Sequence, residues 1–558
     1  MKVCSASLRR VVASGLILTF TILPLPSAMA QGNASSASIT EDGLPLSPIE
    51  RAQQDGTAIP LSLTEFTRMV LQNNLDVAIS DTNAQDRLWS LHSAYGTYDR
   101  SLSFNSSYNS NRSVSTSQWE LGSGSSSTTS DTFNYGLTFS QPLKSGGSIS
   151  VTHSPGRTSN SSSTATFNPS YSGSLQVSYN QDLWRNLRVD NARNQIKIAN
   201  LNIELNENTF KQTVTRVIGD AQRNYWDLVS SIRNYDIQRN AVRLAQRNLN
   251  DQKRRLEVGT IPPIDVTTAE ASVSSRELNL ISAEDSILQA QNNLRQMISS
   301  DRNSDIWRKV IVPTDSPDFR EYKIDADTAL AIALQNRPEL EQSRINLATL
   351  ELQNQLQREN LKWRVRLNSS FNLSGTAGQV RPEFAGRYKD NMIGGLGTYY
   401  KLLFSDPNTR WSVSINIDVP LKNRQLEATL AQQEISKRRY LMQRQQTEQS
   451  IQVEVRNALQ TLESSRRQID AAVIARKLAE EQLDGEIKRN EAGLSQNYRV
   501  LDVQQALSQQ EYSELQALIR YKQAIISLQR TMYNLLEDSD FSIARGSSVN
   551  IPNFKYPS

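Results

Sequence analysis

The chain is predicted to be a mixed α and β membrane protein. In it a long antiparallel α-helical coiled-coil barrel joins a transmembrane β-barrel assembled from a trimer, with four strands per protomer and an internal two-fold repeat. Three observations predict this: the chain is duplicated in line, each half holds a proline-free stretch of coiled-coil length, and short segments alternate apolar residues with Ser or Asn.

The N-terminus reads as an export signal. Lys2, Arg9 and Arg10 form a basic region, Val11 to Leu25 is almost wholly apolar, and Ala28-Met29-Ala30 supplies a small-x-small cleavage pattern. The apolar run is too short to span a bilayer, and Pro24 and Pro26 interrupt it. The whole chain carries 61 Lys and Arg against 57 Asp and Glu, and three of the basic residues leave with the signal. A mature protein so close to neutral offers no electrostatic case for binding nucleic acid. Its one cysteine, Cys4, also leaves, so neither a disulfide framework nor a thiolate metal site is expected. Gly (23) and Pro (18) are scarce for 558 residues, which favours long helices. No apolar run of membrane-spanning length follows the signal, so entry into a membrane requires a β-barrel.

The duplication appears in two matches at one offset of 263 residues. Leu71-Gln72-Asn73-Asn74-Leu75-Asp76-Val77 matches Leu334-Gln335-Asn336-Arg337-Pro338-Glu339-Leu340, and Asn105-Ser106-Ser107-Tyr108-Asn109 matches Asn368-Ser369-Ser370-Phe371-Asn372. Further on, Gln181-Asp182-Leu183 corresponds to Val419-Pro420-Leu421, and Gly259 with Asp265-Val266 corresponds to Gly493 with Asp502-Val503. The expected organisation is a signal peptide over 1–30, an N-terminal linker over 31–60, repeats over 61–323 and 324–537, and a C-terminal tail over 538–558. The first repeat runs as a helix, β strands within 98–188, a long helix over 189–258, a tip over 259–264, a helix over 265–299 and a linker over 300–323. The second runs as a helix, strands within 363–421, a long helix over 424–491, a tip over 492–498 and a helix over 499–537.

In the first long stretch, apolar residues recur by threes and fours at Val214, Val217, Ile218, Ala221, Tyr225, Leu228, Ile232 and Tyr235. Val455, Ala458, Leu459, Leu462, Ile469 and Ala472 repeat the stripe in the second. At 1.5 Å per residue each helix is on the order of 100 Å long, which a soluble coiled coil would explain equally well. The strands favour a membrane protein. Trp411, Val413, Ile415 and Ile417 alternate with Ser and Asn, as do Leu175, Val177 and Tyr179, then Leu102, Phe104 and Tyr108, then Leu367, Phe371 and Leu373. One face suits lipid and the other water. Four strands cannot close a barrel, whereas three copies of four close one with a water-filled lumen, hence the expected homotrimer. Tyr135, Leu137 and Phe139, then Ile149 and Val151, flank Lys144-Ser145-Gly146-Gly147; this pair reads as an extracellular hairpin, or else adds two strands. The Ser-rich stretches 113–131 and 154–170, with residues 376–410, read as surface loops.

This arrangement resembles the TolC-like outer-membrane efflux family over roughly 61–537, on the Leu334–Leu340 and Val419-Pro420-Leu421 motifs, Gly259 with Asp265-Val266, and Gly493 with Val500-Leu501-Asp502. The resemblance implies a trimer in outer-membrane lipid with an α-helical tunnel through the periplasm. It also implies an entrance at the helical tips that opens when a periplasmic adaptor and an inner-membrane transporter dock. By that likeness Asp265 and Asp502 are candidates for a gating ring, where three copies of each acid make a cation-attracting constriction. The bland alternative makes each an N-cap contributing about 1 kcal/mol. Arg499 stands where the family is often acidic, which suggests a gate-holding ion pair. Gly259, Thr260, Ile261, Pro262 and Pro263, with Gly493, Leu494, Ser495, Gln496 and Asn497, are the candidate adaptor contacts.

Nothing in the sequence suggests an enzyme or a cofactor. His92 and His153 are the only histidines, no metal-spaced cluster occurs, and there is no phosphate-binding loop, so energy must come from a partner. The expected function is a passive exit duct. A non-conducting structural or adhesive envelope protein is the alternative, and a periplasmic adaptor a third reading that the strand segments oppose.

Overall fold

The computed structural model describes residues 45–114, 118 and 126–535. The expected signal peptide, residues 31–44 of the expected linker and the C-terminal tail lie outside the described residues. The first half contains α1 (Pro48–Gln54), β1 (Ala58–Leu61), α2 (Leu63–Asn73), α3 (Leu75–Tyr95), β2 (Ser101–Val114), β3 (Ser127–Pro142), β4 (Ser148–Asn160), β5 (Phe167–Asp182), α4 (Asn191–Glu257), α5 (Pro263–Ile298) and β6 (Val310–Pro313). The second contains α6 (Ala326–Asn336), α7 (Pro338–Asn360), β7 (Arg364–Val380), α8 (Leu396–Ser405), β8 (Asn408–Asp418), α9 (Arg424–Glu491) and α10 (Asn497–Met532).

Each repeat opens on two helices where one was expected. The Asn74 side chain ends α2 and accepts from the Asp76 amide at 2.9 Å, starting α3 in a new direction. At the matching position Pro338 is the first residue of α7, where its missing N–H costs no hydrogen bond. The long helices α4 and α9 run 67 and 68 residues. Asp190 caps the first through the Arg193 amide at 2.7 Å, and Asn423 caps the second through Leu426 at 3.2 Å.

Each long helix folds back against its successor, α4 on α5 and α9 on α10. Val217, Ala221, Tyr225, Leu228 and Val242 of α4 bury against Leu280, Ala283, Ile287 and Leu294 of α5, with Phe66 and Val70 of α2. Ile451, Val455, Leu462 and Ile469 of α9 bury against Ala517, Tyr521, Ala524 and Leu528 of α10, with Ala329 and Ala333 of α6. Helix α10 serves both cores, because Leu515, Ile519 and Ile526 on its other side join the first. Apolar residues on two faces make it the wedge between the repeats.

Part of the expected linker is ordered. Helix α1 lies against α4 and α5, with Glu50 accepting from Arg239 at 2.8 and 2.9 Å and Arg51 paired with Glu284. Strand β1 pairs in parallel with β6, in register from Ala58 with Val310. The Tyr225 hydroxyl, buried beneath this strand, donates to Asp315 at 2.7 Å and lies 3.0 Å from the Leu61 carbonyl.

Apart from the β1–β6 pair, the described strands form an antiparallel sheet of six in the order β2-β3-β4-β5-β7-β8, not four. The pair around Lys144–Gly147 is no extracellular hairpin, because its turn lies at the helix end of the sheet. There Gln181 at the foot of β5 accepts from the Ser145 hydroxyl and donates to the Ser145 carbonyl, both at 2.9 Å. Gly146 holds φ +84° in this turn, and a Cβ would stand 3.0 Å from the Asn186 carbonyl, so only glycine fits. The stretches expected as loops are partly strand and helix: β3 begins at Ser127, β4 runs on to Asn160, β7 to Val380, and α8 occupies 396–405. Their serines and threonines are the polar face of strands, which composition alone confuses with loop.

The register sorts the sheet into two faces, because successive side chains point to opposite sides. One carries Leu102, Phe104, Leu137, Phe139, Ile149, Val151, Leu175, Val177, Leu367, Phe371, Val413, Ile415 and Ile417, and the other mostly Ser, Asn and Thr. Helix α8 covers part of the apolar face at the end far from the helices. It buries Tyr399, Leu402 and Leu403 beside Leu175, Leu373 and Ala377. The paired glycines Gly173 and Gly375 open the slot for it: a Cβ on the first would stand 2.7 Å from the Tyr399 hydroxyl.

Two outcomes follow from this packing. Leu228 is fully buried where α4 meets α5, so Leu228→Ala is expected to cost about 2–5 kcal/mol, read as a lowered thermal midpoint of the helical signal. Burial raises the pKa of Glu50, but Arg239 and the Ser47 amide outweigh it and hold the carboxyl below its usual 4.5. The stabilisation is therefore complete above that value and disappears as pH falls through the lowered one. Proteolysis of residues 45–61 is expected to accelerate in acid, and Glu50→Gln to make it fast already at neutral pH.

Candidate functional site: the helical tips

Both hairpins turn by the same device. Gly259 and Gly493 sit just past α4 and α9 with φ of +74° and +73°. The Gly259 amide donates to Leu256 at 2.9 Å and the Thr260 amide to Arg255 at 3.0 Å. Gly493 and Leu494 repeat this on Asn490 at 3.0 Å and Arg489 at 2.8 Å. These are Schellman motifs, which satisfy the last carbonyls of a helix and need a left-handed residue that glycine adopts without strain. Nothing lies within 4 Å of a Cβ built on either glycine, so the requirement is conformational.

The tips expose apolar side chains. Val258 is 73% exposed, Ile264 64%, Leu494 75% and Tyr498 57%. Of the expected contacts, Gly259, Thr260, Pro262, Pro263, Gly493 and Leu494 are exposed, while Ile261 and Ser495 are half-buried. The Ser495 hydroxyl bonds Glu486, and the Asn490 side chain donates to the Ser495 carbonyl at 3.0 Å, which fixes the second turn. The two tips are tied together. Asn248 of α4 donates to Asn497 at 2.8 Å, and Arg255 to Asn490 of α9 at 3.3 Å.

The three candidate gate residues fall differently from the sequence pairing. Helices α5 and α10 start at Pro263 and Asn497, so the position matching Asp265 is Arg499, the third residue of each helix. Asp502 matches Thr268, one turn deeper. Neither acid is a cap, because Pro262 and Gln496 hold those positions without a side-chain bond. Among the described residues none of the three forms an ion pair; Asp265 is half-buried, while Arg499 and Asp502 are exposed. Asp502, Tyr498 and Thr268 line a cleft of 890 Å³ between α4, α5 and α10, whose other walls are largely Ser, Asn and Gln.

Arg276 in this cleft was missed. It is 7% exposed on α5, its Nε donates to Ser272 at 3.4 Å, and its guanidinium reaches across to the Leu501 carbonyl of α10 at 3.3 Å. Burial lowers its pKa below the usual arginine value. A carbonyl ties it, and among the described residues no carboxylate pairs with it, so it joins the two coils at the cost of desolvation. The available signal was its place in the stripe Ala269, Val273, Arg276, Leu280, Ala283, where a charge interrupts apolar spacing. Among the described residues no three His, Cys, Asp or Glu are grouped to hold a metal, and no helix is long and apolar enough to cross a membrane.

Two bare-tipped helical hairpins, standing on an antiparallel sheet with one apolar and one polar face, define an envelope duct protein. The chain belongs to the outer membrane efflux protein family, which matches residues 148–300 and 329–532. Among proteins of curated function none matches the sequence. The fold is similar to the CmeC outer membrane channel of Campylobacter jejuni at 16% identity, covering 88% of each chain with a TM-score of 0.61. It is similar to VceC of Vibrio cholerae at 14% identity, covering 87% of this chain and 97% of the other, with a TM-score of 0.59. The open state of the Neisseria gonorrhoeae MtrE channel aligns at 16% identity over 84% and 88%, with a TM-score of 0.55. The protein is an outer-membrane exit duct for efflux that extends into the periplasm.

The tip geometry makes a direct test. Gly259→Ala and Gly493→Ala are each expected to cost about 1–2 kcal/mol through the left-handed backbone alone. Hydrogen exchange of the last turns of α4 and α9 should quicken while the helix bodies stay protected.

Proposed function

We propose that the duct is a homotrimer that works passively. A periplasmic adaptor docks on the helical tips, and an inner-membrane transporter supplies both substrate and energy. The observation that carries this reading is the pairing of a lipid-and-water sheet with hairpins on the order of 100 Å long, enough to reach from an outer membrane deep into the periplasm. No nucleotide-binding loop occurs in the sequence, which supports a passive role.

The exposed Val258, Ile264, Leu494 and Tyr498 extend the expected adaptor surface of Gly259–Pro263 and Gly493–Ser495. Bare apolar groups beside glycine turns suit a partner that caps the tips. For the gate, three copies of Asp265 and Arg499 in equivalent first turns would place opposite charges around one ring, with Asp502 a turn deeper. Such a ring favours closure through ion pairs between hairpins, and Arg276 adds a tie within each protomer. Opening requires the α9–α10 hairpin to swing away from α4 and α5, which breaks the Arg276 bond to the Leu501 carbonyl.

Single-channel conductance of the purified mature protein in planar bilayers tests this. Small, cation-dependent steps are expected from the wild type. Larger steps are expected from Asp265→Ala with Asp502→Ala, and from Arg276→Met, which keeps the apolar stem but not the tie. No conductance from a folded trimer in any form would leave a structural envelope protein.

A further inference from the structure

We propose that β8 of each protomer pairs with β2 of the next, so that three copies close an eighteen-stranded barrel whose lumen is lined along its middle by hydroxyl and amide groups and suited to bulky polar cargo. The inference rests on the trimeric duct reading and adds the width and chemistry of its outlet.

Strands β2 and β8 end the six-strand order, and every residue of both is exposed in one protomer. Six strands are too few to close on themselves, since about eight are needed to leave a filled interior. Open edges do not persist in hydrocarbon, where their N–H and C=O groups have no water to bond. The edges are also matched in direction. Strand β2 leaves the helix end of the sheet after α3, whereas β8 returns to it before α9. Copies placed side by side therefore meet antiparallel, as every neighbouring pair within the protomer already does.

The added strands are membrane strands by length and by face. A transmembrane strand needs about 9–11 residues. Strand β3 has 16 and β4 has 13, and their Leu137, Phe139, Ile149 and Val151 continue the apolar face between β2 and β5. With strands about 4.8 Å apart and tilted about 40°, eighteen close at a backbone diameter of about 35 Å, against about 24 Å for twelve.

The opposite face then lines the lumen. Along the middle of the strands it reads Asn105, Ser107, Thr138, Ser140, Ser150, Thr152, Gln176, Ser178, Ser370, Asn372, Ser412 and Ser414. Its charges gather at the helix end, where Asp182 takes Arg366 at 2.9 Å and Arg364 stands opposite Asp418; Arg410 alone lies toward the far end. Between these charges the wall is of short neutral side chains, which narrow the barrel little. Helix α8 packs on the apolar side and leaves the lumen clear.

Electron microscopy of the purified assembly in detergent decides the question. Three-fold particles with an eighteen-stranded barrel about 35 Å across are expected. Three-fold particles with a twelve-stranded barrel and β3–β4 outside it would overturn this proposal and leave the duct reading intact, while a folded monomer would remove both. Labelling with a membrane-impermeant maleimide in intact outer membranes gives an independent reading. Thr152→Cys, on the lumen face of β4, should react and Val151→Cys, on the lipid face, should not; equal reaction of both would place β4 in water and overturn the proposal.

Discussion

The constraint on which the rest depends is the alternation of every strand between an apolar and a polar side chain. A sheet written this way separates two solvents, and its free edges then require other strands. Phe104, Leu137, Val151, Val177, Phe371 and Ile415 make one continuous apolar band across six strands. A band that broad, left in water, would be an aggregation surface. In lipid it is satisfied, and only the backbone groups of β2 and β8 remain to be paired. The proposed assembly thus follows from the sheet before any helix contact is considered.

The helices answer a different demand, which is to hold two hairpins side by side over a great length. Helix α10 meets it by presenting Leu515, Ile519 and Ile526 to one core and Ala517, Tyr521 and Leu528 to the other. The bond is continuous midway along the helices and thins toward the tips. There the joining contacts are single polar bonds, from Asn248, Arg255 and Arg276. A neutral hydrogen bond contributes roughly 1 kcal/mol net, whereas a buried Leu or Ile contributes about 2–3. The joint between the hairpins is therefore weakest at the tips, where the proposed gate would have to move.

Much of this was legible in the sequence. Helix length, the hairpin breaks at glycine and the amphipathic strands all rest on local periodicity, which survives without knowledge of the fold. The gate pairing did not transfer. Asp265-Val266 and Asp502-Val503 share a dipeptide, but counted from the helix starts after the glycine turns Arg499 is the counterpart of Asp265. Arg276 escaped because its role depends on a carbonyl 225 residues away in sequence. Serine misled in the sheet: residues 154–160 are polar and turn-like in composition, yet they continue β4 and pair with β3 and β5 on either side.

The inserted strands nevertheless left a trace in the duplication. The repeat offset is 263 residues at Asn105 and Asn368, but 236 at the strand ends Asp182 and Asp418. The first half therefore gained length between its first and last strands relative to the second. Strands β3 and β4 with their glycine turn lie in that interval, and their length is offset in part by the connection that carries α8 between β7 and β8. A surplus that crosses the membrane must do so in pairs of strands, because the chain has to return to the side from which α4 departs. A single added strand would leave α4 outside the cell, and a loop of the same length would leave the apolar residues of β3 and β4 in water. The parity of the sheet and its apolar face thus favour the proposed crossing, a hairpin turning at the helix end, where Gly146 and Gly147 stand.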